Sequence, residues 1–305
     1  MKKNLAFYTC SNGLGHFSRV LKISEYLLDT FNITIYCEKF QHDKFKPDIN
    51  VDFIFYDISN IRWDKTLKEN KVDFESYFKW CHLYGPTCLK YDYVVSDNLA
   101  GLLKFRKDII LSGSFFWKDV FFKKFKDNKL SEFDSFYIDH YKPVVLTNKY
   151  LETESIKKYK NKVQFGFGCK NNNYTKPKSY EPIAITPSLD YLLDYNLYMK
   201  NLPFEATENI QVKDNCIYII RPGVGMITHC IENNIPIVAL YSKKDSSEII
   251  ELANKVEKLN IGFKQNIAKK FNIKKYNNLM NEDIYNKVTF DKNGYKNIAN
   301  YLKNL

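Results

Sequence analysis

Two short segments of the chain carry the residue types that could handle a phosphorylated substrate. Ser11-Asn12-Gly13-Leu14-Gly15-His16-Phe17-Ser18-Arg19 is a glycine loop running into a helical stripe, and Arg221-Pro222-Gly223-Val224-Gly225-Met226-Ile227-Thr228-His229 repeats the arrangement. The chain has five histidines and only four arginines, and each segment holds one of each. Glycine admits positive φ and lets backbone come close to a ligand. A helix that opens directly after such a loop aims free N–H groups and a positive dipole end at it. Phosphate suits that position. The dipole contributes only about 0.3–1 kcal/mol, so side chains must add to it. Gly13, Gly15 and Arg19 are the candidates in the first segment, and Arg221, Gly223, Gly225 and Thr228 in the second. The coincidence of the two units points to a shared cleft.

His16 has two readings. As a base it takes a proton from an acceptor hydroxyl or a water, an effect of roughly 10²–10⁴-fold; otherwise it is a helix-start residue that binds phosphate or backbone. Asp97 follows the apolar run Tyr93-Val94-Val95-Ser96, and ligands of open α/β sheets sit outside the carboxyl ends of strands. It either orients His16 or holds an acceptor hydroxyl, or it caps a helix over 98–104. Arg221 either meets a diphosphate or makes an internal ion pair. Glu248 either binds sugar hydroxyls or is a solvated acid in a first helical turn. His229 either faces a ligand at that loop or faces the interior. No Asp-x-Asp and no His-x-x-x-His occurs, so no metal ligand set is assigned.

The elements that must position these residues alternate between strand and helix. Strands are expected at 5–9, 33–37, 51–56, 93–96, 109–111 and 144–146, and a helical stripe runs through Phe17, Val20, Leu21, Ser24, Leu27 and Leu28. In the second half, strands at 183–186, 217–220 and 235–240 alternate with helices at 226–233 and 246–259. Strands separated by helices predict parallel sheets covered on both faces. The Asn-, Lys- and Pro-containing run 170–182 predicts a linker or surface loop. A final helix at 293–305 places Ile298, Tyr301 and Leu302 on one face.

At 305 residues the chain has room for about two domains. The net charge of +11 fits either an anionic partner or lysines spread over a solvated surface, and no dense basic tract occurs. The seven cysteines form no Cys-x-x-Cys pair, which suits reduced thiols in a cytosol. The N-terminal run is broken at Thr9 and Ser11, unlike a signal peptide, and no stretch reaches the roughly 18 apolar residues of a membrane span. The run 115–126 mixes aromatics with lysines. It is either a core helix with solvated lysines or a peripheral membrane contact. No nucleic-acid-binding motif accompanies it, so nucleic acid is not expected.

The first segment resembles the Gly-x-Gly-His-x-x-Arg loop of GT-B-type glycosyltransferases. It is similar to that of the lipid II-forming N-acetylglucosaminyltransferases and of the nucleotide-sugar hydrolases in pseudaminic acid synthesis. Arg221 to Pro236, Ile235-Pro236-Ile237-Val238-Ala239-Leu240, Asp245-x-x-Glu248 and Leu259-Asn260-Ile261-Gly262 resemble the nucleotide-sugar half of the same superfamily. His229 stands where uridine-binding members carry a ribose-binding Glu, and Leu252 where an Asn often follows, so the nucleotide is left open.

The resemblance implies an α/β, GT-B-like fold: two Rossmann-like parallel-sheet domains facing a central cleft. The domains would be 1–160 for the acceptor and 161–290 for the nucleotide sugar, with a C-terminal helix at 291–305 packing back on the first. It implies a cytoplasmic, membrane-associated bacterial enzyme of surface polysaccharide biosynthesis, without cofactor or metal. That enzyme would move a sugar from a nucleotide-sugar donor to a glycan, lipid-linked or protein acceptor, with domain closure aligning the two. A nucleotide-sugar hydrolase and a non-catalytic nucleotide- or glycan-binding protein are the alternatives.

Overall fold

Short runs of β-branched and aromatic residues, buried in the central strands, build a seven-stranded parallel sheet. In the computed structural model, which describes residues 2–61, 73–125, 129–168, 181–185, 193–204, 216–282 and 284–305, the strands are β1 (Lys3–Tyr8), β2 (Phe31–Cys37), β3 (Asp52–Phe55), β4 (Tyr93–Ser96), β5 (Ile110–Ser112), β6 (Val145–Asn148) and β7 (Lys162–Phe165). Their order across the sheet is β3-β2-β1-β4-β5-β6-β7. Between them run α1 (Leu14–Glu25), α2 (Lys39–Phe45), α3 (Phe74–Tyr84), α4 (Trp117–Phe125), α5 (Lys129–Tyr141) and α6 (Glu154–Lys158), with 3₁₀ turns at Gly85–Lys90 and Ala100–Lys104.

The strand order reverses direction between β1 and β4. Tyr8 pairs with Tyr36 on one side and with Ser96 on the other. A topological switch point of this kind opens a crevice at the carboxyl ends of the two central strands. Both the first glycine loop and Asp97 leave the sheet there.

Alternation along β1 sends Leu5 and Phe7 to one face and Tyr8 to the other. On the first face they join Phe17, Val20 and Leu21 of α1, together with Ile298 and Leu302. On the second, the Tyr8 and Tyr36 rings stack with centroids 4.3 Å apart, and Trp80 meets Tyr8 and Tyr56 edge-on.

The chain divides into two compact units, Met1–Phe165 with Gly294–Leu305, and Gly166–Asn293. The second unit holds β8 (Glu181–Ile185), α7 (Leu193–Lys200), β9 (Cys216–Ile220), α8 (Val224–Glu232), β10 (Ile237–Tyr241), α9 (Ser247–Lys258), β11 (Gly262–Asn266), α10 (Ile273–Asn281) and α11 (Ile284–Lys287). Its strands are parallel in the order β11-β10-β9-β8. The last helix, α12 (Gly294–Lys303), belongs to the first unit, where Tyr301 meets Phe165 and Lys303 bonds Asp29.

Strand β4 coincides with the expected run, and α1 carries the expected stripe. The alternative of a helix over 98–104 is corrected: the segment holds a 3₁₀ turn at Ala100–Lys104, because Asn98 takes a left-handed φ of 63° and turns the chain first. Strand β7, Lys-Val-Gln-Phe, has too little apolar pattern to be read from sequence. Residues 170–180 of the expected linker lie outside the described residues, and Glu181 and Pro182 open β8. Among the described residues no helix is long and apolar enough to cross a membrane.

One buried acid is unrelated to the glycine loops. Asp134 on α5 is 1% exposed and accepts a hydrogen bond from the Tyr77 hydroxyl of α3 at 3.0 Å. That hydroxyl in turn accepts from the Gly101 N–H at 2.8 Å. Burial pushes the Asp134 carboxyl up to about 7. A folded-state value above the unfolded one means stability that is present at low pH and lost as pH rises through about 7. Asp134→Asn keeps an acceptor for Tyr77 without a charge. It should match wild type in urea denaturation at pH 4 and exceed it at pH 8, by on the order of a few kcal/mol; equal stability at pH 8 would contradict the assignment.

Candidate active site

Strand β1 ends at Tyr8, and the loop that follows is held from beneath by side chains at the start of α2 and by Asn60. Thr9 donates its hydroxyl to the Tyr36 carbonyl at 2.8 Å. Asn60 donates Nδ2 to the Thr9 carbonyl at 3.0 Å and takes the Ser11 N–H on Oδ1 at 2.8 Å. The Ser11 hydroxyl donates to Glu38 at 2.6 Å. Gln41, fully buried, donates Nε2 to the carbonyls of Cys10 and Gly13 at 2.9 and 2.7 Å and accepts the Glu38 N–H at 3.0 Å. Sequence reasoning named neither Gln41 nor Asn60. A signal for the first exists, because Glu38 and Gln41 stand three apart at a helix start and form a capping box.

Gly13 adopts φ 84°, and a Cβ there would meet nothing within 4 Å. The glycine is required by its dihedral angle, not by crowding. No side chain caps α1, whose first residues include the exposed Gly15.

His16 and Arg19 stand three apart on α1, so they share a helix face. Both reach Asp97, which is 1% exposed and is tied to β1 by its own N–H on the Tyr8 carbonyl at 2.8 Å. Oδ2 lies 2.7 Å from His16 Nδ1 and accepts the Cys10 N–H at 3.4 Å. Oδ1 takes Nη2 of Arg19 in an ion pair. Burial pushes the Asp97 carboxyl up, but the Arg19 charge, then the His16 imidazole with its hydrogen bond and the Cys10 N–H, outweigh it and hold the carboxyl at about 2. An ionised carboxylate only accepts, so Nδ1 of His16 carries the proton and Nε2 is the basic nitrogen of the neutral ring. The Trp117 ring lies 6.4 Å from the imidazole, centroid to centroid.

This arrangement brings His16 and Asp97 together. It assigns Arg19 differently from the sequence expectation of a phosphate contact: the guanidinium turns inward to Asp97 and to the Ser112 carbonyl at 3.4 Å. Asp97 caps no helix, since the following 3₁₀ turn starts from Leu99 without a side-chain cap.

In the second unit, Arg221 follows β9, and its Nε donates to Asp245 at 3.1 Å. Asp245 also accepts the Ser242 N–H at 2.7 Å and the Tyr195 hydroxyl, and the Tyr195 ring lies 6.0 Å from the guanidinium carbon. The motif Asp245-x-x-Glu248 carries no sequence signal of this part for Asp245. Gly223 is extended, with nothing within 4 Å of a Cβ, and its carbonyl takes the Ile227 N–H as α8 begins. Gly225 is exposed in the first turn. The buried Thr228 turns its hydroxyl to the Val224 carbonyl at 2.8 Å. His229 stacks against Tyr218 at 6.0 Å, with Nδ1 3.3 Å from the Asn233 amide. Glu248 is half-buried in the first turn of α9.

The membrane-contact reading of 115–126 is corrected over its described part. Phe115, Phe116, Trp117, Val120 and Phe121 are all buried at 4% exposure or less, so those aromatics belong to the core. The side chains of 122–125 and all of residue 126 lie outside the described residues.

No family model matches the chain, and no curated protein matches it in sequence. Solved structures do. MurG of Acinetobacter baumannii is 12% identical, with a TM-score of 0.61 over 99% of this chain and 100% of that one. The spinosyn forosaminyltransferase SpnP is 9% identical, with a TM-score of 0.59 over 100% and 95%. UGT89C1 of Arabidopsis thaliana, solved with UDP-L-rhamnose, is 10% identical, with a TM-score of 0.58 over 99% and 94%. At these identities the likeness is one of fold: the chain has the GT-B fold, and the expected pair of Rossmann-like parallel sheets is present.

Asp97 gives this site a pH signature. Its folded value of about 2 lies below the ordinary carboxylate value of about 3.9. Its ion pairs therefore stabilise the fold above roughly pH 4, and that stability disappears as pH falls towards 2. Wild type should exceed Asp97→Asn in urea denaturation at pH 6, and the gap should shrink as pH falls below about 4. A gap independent of pH would show that the carboxylate charge is not what stabilises the site.

Proposed function

We propose that the protein is a metal-independent glycosyltransferase that moves a sugar from a nucleotide-sugar donor to a hydroxyl of a surface-glycan, lipid-linked or protein acceptor. The observation that carries this reading is the His16–Asp97 pair at the switch point of a Rossmann-like sheet. Asp97 fixes the Nδ1–H form, so Nε2 of His16 can take the acceptor proton. The acceptor oxygen attacks the anomeric carbon as the bond to the diphosphate oxygen breaks, and the nucleoside diphosphate leaves with the electron pair. In this reading the second unit holds the donor. The N–H groups at the start of α8, around Gly223 and Gly225, meet the diphosphate together with Arg221, and Glu248 accepts from sugar hydroxyls. His229 serves the ribose. Helix ends and basic groups stabilise a leaving diphosphate without an ion. The neighbours solved with UDP or UDP-L-rhamnose support a nucleotide-sugar donor.

A thermal-shift screen with UDP, GDP, CDP, CMP and dTDP tests the donor half. A nucleotide at about 100 times its dissociation constant should add roughly 2.7 kcal/mol of stability, and no response to any of the five would sink the proposal.

His16→Ala tests the base. The variant should keep the nucleotide shift and lose roughly 10²–10⁴-fold in turnover; unchanged turnover would leave His16 a helix-start residue. Donor sugars supplied without acceptor should stay largely intact. Rapid release of free sugar would make water the acceptor and the protein a hydrolase.

A further inference from the structure

The neutralisation of Asp97 is divided unequally between its two oxygens. Oδ1 faces Arg19, while Oδ2 faces the His16 imidazole and the Cys10 N–H. Arg19 is anchored a second time at the Ser112 carbonyl, 3.4 Å away at the end of β5. Its guanidinium thus fixes which way the carboxylate is turned. A carboxylate with a histidine as its one cationic partner draws that histidine towards the imidazolium, because an opposite charge nearby favours the charged form. An imidazolium cannot act as a base. Arg19 supplies a permanent positive charge to the same anion and opposes that pull.

Among the described residues, the groups around the His16–Asp97 pair are few. The first glycine loop contributes Cys10 beside Asp97, whose thiol burial pushes far up, so that it stays neutral. Its own helix contributes Arg19, the end of β4 contributes Asp97, and α4 contributes the Trp117 ring. The balance of charge on the imidazole is therefore set by Asp97 and Arg19.

We propose that Arg19 is a positioning residue for His16: by holding Oδ1 of Asp97 it keeps Oδ2 on Nδ1 of the imidazole, and by neutralising that carboxylate it weakens the pull of Asp97 towards the imidazolium. The catalytic meaning of this rests on the reading of His16 as the base, but the electrostatic claim does not. Nothing in the spacing of the first glycine loop distinguishes such an arginine from a phosphate ligand; the ion pair with a buried acid does.

The test follows the titration of the His16 ring by NMR, with its C–H resonances assigned by their loss in His16→Ala. In Arg19→Gln the ring should titrate about one pH unit higher than in wild type. Arg19→Lys, which keeps a cation on Asp97, should stay within about 0.3 unit of wild type. If Arg19→Gln fails to fold because Asp97 loses its partner, Asp97→Asn and the double variant Arg19→Gln/Asp97→Asn read the direct effect of the Arg19 charge on the imidazole with no lone buried carboxylate. The double variant should then titrate higher than Asp97→Asn.

An unmoved or lowered titration when Arg19 is removed overturns the proposal. Turnover is not needed for this readout. A moved titration in a protein that transfers no sugar would keep the electrostatic claim and remove the transferase reading. An unmoved titration in an active transferase would do the reverse.

Discussion

A carboxylate that is 1% exposed between the two central strands of a parallel sheet must be neutralised or it costs the fold several kcal/mol. Much of the first unit's local structure answers that demand. Arg19 and His16 are spaced to reach one anion from one helix face. That helix can begin where it does because Gly13 turns the chain at φ 84°. The loop before it keeps its shape because Gln41 and Asn60 satisfy its buried carbonyls and N–H groups from below. Asp97 itself is fixed by its N–H on the Tyr8 carbonyl. Removing one partner of such a buried pair typically costs about 3–5 kcal/mol, so these features stand or fall together.

The second unit uses the same chemistry for a different end. Asp245 also gathers an arginine from a glycine loop, together with the Tyr195 hydroxyl and the Ser242 N–H. Among the described residues no histidine joins it, and a carboxylate bound to an arginine and a phenol has no base to orient. It fixes the path of the chain where β9 passes into α8. The two glycine loops look alike as sequence, yet the partners of their carboxylates separate them. The first holds a group able to move a proton, and the second presents a helix start.

The parts of the fold read correctly from sequence are those with a strong local period. Strand β4 and helix α1 are examples, since each buries a face that its own residues declare. The glycine loops were readable for the same reason, because glycine pairs between an apolar run and a helix have few other uses. The partner of Arg19 was not readable. It lies 78 residues away, and an arginine on a helix face suits a phosphate and a carboxylate equally. Asp245 and Asn60 were hidden likewise, their roles being set by strand ends that meet only in the folded sheet. The aromatic run at 115–126 shows the limit from the other side. An apolar helix face has one period whether it packs against a core or a membrane, and only burial separates the two.

These pairings bear on how an anionic substrate would be held. The chain carries a net charge of +11 but only four arginines. Each of the three described ones is bound to an aspartate: Arg19 to Asp97, Arg106 to Asp108, and Arg221 to Asp245. The positive excess therefore resides in lysines, and lysine binds phosphate as a point charge without the planar fork of arginine. Recognition of a diphosphate would then lean on directional donors that no carboxylate competes for. The N–H groups at the uncapped start of α8 are of that kind. A site built this way depends on backbone position more than on any one basic side chain. That gives a physical reason for Gly223 and Gly225 to matter more than any one basic side chain near them.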